Sequence, residues 1–283
     1  MNTTMRSLTM ASVLAIGATS ALAQDNVIKM GTMMWEDMVL ITLITKQVLE
    51  NAGYTVEVTE FSEWGIAYAA LTRGDTELMV SQTDYIAQDY WDENKEDLEK
   101  LSVVGYGVYQ AFAVPSYMII SSTEELNGIA DEVGGQIVGV EPGSGLMREA
   151  NIAMEEYGLE LELVEGSTAA MTAALDAAVS RQEPIVVTLW EPSWMFSKYD
   201  MKFLADPKGI FAPPQAYHLI AQKGFSKAHP QAAELLSGVY VPLADIGAIN
   251  EAIEGGQTVE EATQAWIDAH ADLMTRWANI KSY

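Results

Sequence analysis

The sequence runs to 283 residues with 40 acidic against 15 basic side chains, a formal net charge of −25, and no cysteine. That acidic balance argues against nucleic acid and anionic membrane surfaces as partners. The missing cysteines exclude disulfides, thiolate metal sites and a lipid-modified cysteine at a processed N-terminus.

The chain opens with Arg6, an apolar stretch from Leu8 to Leu22 and the small-x-small end Ala21-Leu22-Ala23. This pattern predicts a cleavable secretory leader over 1–23 and an exported mature chain, periplasmic in location, with a monomer as the default. Beyond it, strand-like and helix-like segments alternate. VIKMG (27–31) reads as a strand, and 38–53 has helical periodicity ending at Gly53. YTVEVTEF (54–61) alternates like a strand, 66–75 is helical up to Gly74, and ELMVS (77–81) is a strand. QAFAV (110–114) and QIVGV (136–140) are further strands, and EPGSG (141–145) opens a helix running to Gly158. LELVEG (161–166), an alanine-rich helix (167–182) and the apolar run IVVTL (185–189) follow. Ser122-Thr-Glu-Glu125 and Thr258-Val-Glu-Glu261 are capping-box patterns. The βαβα order predicts an α/β fold with mostly parallel sheets.

No catalytic constellation emerges. His218, His229 and His270 lack metal-ligand spacing, and neither a G-x-S-x-G elbow nor a P-loop is present. A secreted hydrolase has no positive support, and no cofactor is implied. The aromatics carry more information. Trp35 follows the first strand, Tyr117 follows QAFAV, and Trp190 follows IVVTL, with Trp194 four residues on. Each alone is an ordinary packing residue. Ligands of α/β sheets bind beyond the carboxyl ends of strands, where three ring faces enclose a cation that cannot donate hydrogen bonds. The glycine-rich loop at 142–145 places free helix amides where an anion docks, which suits a zwitterion.

These stretches, with VLENAGYTV (48–56), YWDENKEDLEKL (90–101), VPSYM (114–118), VGVEPGSGLM (138–147), STAAMTAAL (167–175) and PIVVTLWEPSWMFSKYDMKFLADP (184–207), make the chain similar to the substrate-binding proteins of glycine betaine and choline ABC importers. The resemblance covers essentially the whole mature length. It implies a two-lobed type II periplasmic-binding-protein fold, each lobe a mostly parallel sheet flanked by helices. The implied division is 24–114 plus 217–283 for one lobe and 115–216 for the other, with crossings near Val114–Tyr117 and Pro213–His218. It also implies an inner-membrane permease partner and an aromatic cage for a small cationic or zwitterionic solute. By position, Trp35, Tyr117 and Trp190 match cage walls, and Asp37 matches the acid near the cation in choline-type members. Ser144 matches the loop at the ligand's polar end, and Trp194 matches a rim position. One departure stands out: Gln82 occupies a position where many relatives have tryptophan, leaving Tyr85 and Trp64 as candidates to fill that wall. Choline, carnitine, trimethylamine N-oxide and dimethylsulfoniopropionate stay open beside glycine betaine.

Overall fold

The computed structural model describes residues 26–140, 142 and 144–280. The expected leader at 1–23 lies outside the described residues. The chain begins with β1 (Val27–Met33), α1 (Glu36–Asn51), β2 (Thr55–Phe61), α2 (Trp64–Arg73), β3 (Leu78–Ser81), α3 (Gln88–Asn94) and a long β4 (Leu98–Pro115). A 3-10 turn at Thr123–Ile129 leads into β5 (Gln136–Val138), α4 (Gly145–Tyr157), β6 (Glu162–Val164) and α5 (Thr168–Arg181). Then come β7 (Val187–Glu191), α6 (Trp194–Lys198), β8 (Met201–Phe203) and β9 (Gln215–Gln222). The chain finishes with α7 (Phe225–Ala228), α8 (Pro230–Ser237), α9 (Leu243–Glu254), α10 (Val259–Ala269) and α11 (Ala271–Ala278). No helix among the described residues is long and apolar enough to cross a membrane.

Local chemistry sets many of these boundaries. Ser144 and Ser167 cap α4 and α5 by accepting from the amides of Met147 and Ala170, and Thr258 with Glu261 forms a complete capping box on α10. Gly74 and Gly158 end α2 and α4 in the left-handed conformation.

Two lobes share one strand. In the first, β1 pairs in parallel with β2 and β3, while β9 runs antiparallel to β3 and to the first part of β4. In the second, β5 pairs in parallel with β6 and β7, while β7 and β8 run antiparallel to the end of β4. The sheets are thus parallel within their βαβ units and antiparallel where the chain passes between lobes. β4 pairs with β9 up to Val108 and with β7 from Tyr109 onward. Three register shifts interrupt its first half, and Gly107 sits at φ +113°, a conformation that L side chains rarely adopt. Such bulges bend a strand and increase its twist, which carries β4 out of one sheet into the other. A second tie forms where α9 crosses α6. A Cβ added at Gly247 would stand 3.3 Å from the Ser197 Oγ, so the two helices approach closely.

Each lobe has its own core. One gathers side chains of β1–β3, the start of β4, β9 and α7–α11, and the other gathers those between Ala111 and Phe211. Trp266 and Trp277 stack with centroids 6.4 Å apart in the first core. Truncating such a buried ring costs about 3–5 kcal/mol. Trp277→Ala is therefore expected to lower the thermal midpoint clearly while leaving solute affinity of the folded protein unchanged, as differential scanning calorimetry and a binding titration would show.

Candidate functional site

A cavity of about 890 Å³ opens between the lobes. The ends of the parallel strands build it. β1 exits into Trp35, Glu36 and Asp37, β3 into Gln82 and Tyr85, β7 into Trp190, Glu191 and Pro192, and β5 into Gly145 and Arg148 of α4. The middle of β4 adds Val108, Tyr109 and Gln110, the start of β9 adds Gln215 and Tyr217, and α9 adds Asn250. The β4–β7 ladder sets Tyr109 opposite Glu191 and Gln110 opposite Trp190, so these four stand together on one rim.

Trp35 is 47% exposed and precedes the first turn of α1. Its ring meets Trp64 edge-on with centroids 5.6 Å apart, and Trp64 in turn meets Tyr68 at 6.2 Å. Trp64 is only 7% exposed and does not line the cavity. It backs Trp35, while Tyr85 is the aromatic that reaches the space beside Gln82.

Asp37 sits in the first turn of α1, where the helix dipole favours an acid. Burial raises its carboxyl, while hydrogen bonds from the Tyr217 hydroxyl and the Met38 amide pull it down. Tyr217 donates to Asp37 Oδ2 at 2.5 Å. Burial pushes the Tyr217 hydroxyl well up, the charge of Asp37 adds to this, and a hydrogen bond from Gln82 works against it. Gln82, 4% exposed, therefore belongs to a chain that ends on the half-buried Asp37 carboxylate.

The loop carrying Gln82 and Tyr85 is pinned by Asp84. Its carboxylate accepts from the Ala216 amide at 3.2 Å, meets His218 Nε2 at 3.0 Å and faces Lys100. Burial pushes the Asp84 carboxyl up, but the His218 and Ala216 hydrogen bonds and the nearby charges outweigh it and leave it lowered. Across the cavity, Gln110 Nε2 donates to Glu149 Oε2 of α4 at 2.8 Å. The Tyr85 hydroxyl meets the same Glu149 from the other lobe, and that hydrogen bond, followed by burial, raises it.

Of the side chains expected at the site, the structure brings Trp35, Asp37 and Trp190 to the cavity. Ser144 stands one residue before lining Gly145 and uses its Oγ as the α4 cap. Trp194 does not line the space. It packs against Tyr199 with centroids 6.1 Å apart and on the second core behind Trp190. Tyr117 lies elsewhere, its hydroxyl donating to the Glu183 carbonyl at 2.7 Å. The reason is strand direction. β4 is antiparallel to β7, so its carboxyl end, where Tyr117 follows, points away from the cleft, and Tyr109 faces the cavity from its middle instead. Tyr109, Gln110, Arg148, Glu191, Gln215, Tyr217 and Asn250 also line the cavity, and no local sequence pattern marks them for it.

This geometry agrees with the comparisons. Residues 26–269 match the family model described as the substrate binding domain of ABC-type glycine betaine transport system. The chain belongs to this family. A glycine betaine/carnitine transport binding protein of Listeria monocytogenes is 33% identical over 154 residues, 53% of this chain and 51% of that protein, so the match spans about half of that relative. A glycine betaine/proline betaine-binding periplasmic protein of Salmonella typhimurium is 24% identical over 83% of this chain and 84% of its own. Among solved structures, a closed lactococcal protein complexed with glycine betaine superposes with a TM-score of 0.69 at 30% identity, covering 89% of this chain and 99% of that one. Family membership and the type II fold therefore rest on sequence and architecture alike.

Proposed function

We propose that the protein is the exported solute receptor of an ABC importer. It holds a small quaternary-ammonium solute of the glycine betaine type between its lobes and hands it to an inner-membrane permease. The observation that carries this reading is that Trp35 from one lobe and Trp190 from the other line one cavity together with the half-buried Asp37 carboxylate. Ring faces attract a permanent cation, and the attraction grows when closure removes water. Tyr109 and Tyr85 add aromatic surface, and Asp37 supplies charge. Gly145 and Arg148, at the start of α4 beyond the Ser144 cap, suit the solute's polar end. The lobe change between Val108 and Tyr109, with the return into β9, supports a hinge there. The reading assigns the cleft no chemical step. It takes residues 1–23 as the leader, the periplasm as the location, by analogy with the Salmonella relative's name, and a monomer as the working form.

Calorimetric titration of residues 24–283 against glycine betaine, choline, carnitine, trimethylamine N-oxide, dimethylsulfoniopropionate and proline tests it. At least one quaternary or closely related cation should bind tightly. Binding of none, or product formed from one of them, would overturn the reading.

A further inference from the structure

Glu191 is the one acid that the second lobe contributes to the described cavity lining, where Glu36, Asp37 and Asp89 come from the first. It follows Trp190 directly and stands opposite Tyr109 at the rim of the ring wall. Its carboxylate is half-buried, and among the described residues neither a hydrogen bond nor an ion pair reaches it. Burial alone acts on it, raising its carboxyl. A partly desolvated carboxylate without a partner is unfavourable, and a cation entering the cavity relieves that cost. Among the described lining residues Arg148 is the only basic side chain, and it already has an interaction of its own. Among the described lining residues, four carboxylates against one guanidinium give the cavity a field that attracts a cation and repels a carboxylate.

We propose that Glu191 is a charge-selecting residue: together with Asp37 it flanks the bound cation from the two lobes and favours a solute of net charge +1 over a zwitterion with the same head group. The inference rests on the quaternary-ammonium reading and deepens it. Both acids attract the head group of a monocation. A zwitterion brings its own carboxylate into the same field and loses part of the gain. Specificity then arises from a repulsive element as much as from an attractive one.

Choline and glycine betaine share the trimethylammonium head and differ in the charge of the tail, so they are the probes. Calorimetry on the wild-type mature chain should find choline at least tenfold tighter. Glu191→Gln should cut that ratio at least fivefold, chiefly by weakening choline, with the thermal midpoint of the unliganded protein at neutral pH equal to or above that of the wild type. Glu191→Asp should keep most of the preference. Equal or tighter glycine betaine binding by wild type, or a ratio unmoved in Glu191→Gln, overturns the proposal and leaves the receptor reading standing. Binding of neither probe by the wild type overturns both.

Discussion

Trp190→Ala should weaken solute binding tenfold or more while the fold survives. The ring stands at the exit of β7, lines the cavity on one side and packs on the second core with the other. A desolvated cation–π contact contributes about 2 kcal/mol or more, and every 1.4 kcal/mol is roughly a factor of ten in affinity. The partly buried position limits the structural cost, because the fully enclosed part of that core lies beneath it. Titration calorimetry with the tightest solute of the panel measures the loss, and circular dichroism checks the fold. Unchanged affinity would remove Trp190 from the site. Tyr117→Phe is the useful contrast: its ring stands outside the cavity, so affinity should stay at the wild-type value.

The second large effect is expected at Asp37, where function and stability should move in opposite directions. Burial raises this carboxyl above its ordinary range in the folded state. Between the unfolded and the raised folded value, the native state binds more protons than the unfolded chain. Stability therefore falls as pH rises through that window, and the penalty is complete only above the raised folded value. Asp37→Asn removes the charge. Its thermal midpoint at pH 7 should equal or exceed that of the wild type, and the gap should close as pH falls below the ordinary carboxylate range. Its affinity for a cationic solute should drop at least tenfold. Tyr217→Phe should do the reverse to stability, since it strips a hydrogen bond from a half-buried carboxylate, a loss of about 1 kcal/mol. Midpoints measured across a pH series, with titrations alongside, decide both. A less stable Asp37→Asn at neutral pH would mean that hydrogen bonding outweighs desolvation there.

Much of the frame was legible in the sequence because its signals are local. Apolar periodicity, the Gly74 and Gly158 stops and the serine and threonine caps located α1, α2, α4, α5 and α10 to within a few residues. The place of Trp35, Asp37 and Trp190 at the cavity was legible because each follows a parallel strand, where the carboxyl-end rule applies. The rest depended on pairings that no local pattern reveals. Gly105 and Gly107 punctuate LSVVGYGVYQ, so the first half of β4 did not read as strand, although its bulges accommodate both glycines. The antiparallel direction of β4 is invisible in its own residues, which is why Tyr117 looked like a wall and Tyr109 did not. The Asp37–Tyr217 contact joins residues 180 positions apart. Asn250 reaches the cavity through the crossing of α9 over α6, which depends on the absence of a side chain at Gly247.

The shared strand has a kinetic side as well. The second lobe is one continuous stretch of chain, whereas β9, which joins β3 to β4 in the first, arrives long after both. Leu78 waits for Ala221 and Leu98 for Gln222. Closing such long loops costs more entropy, and non-local pairings form slowly. The lobe that contributes Trp190 can therefore assemble ahead of the one that contributes Trp35. On this topology the two sides of the cavity come together only when β9 enters between its neighbours.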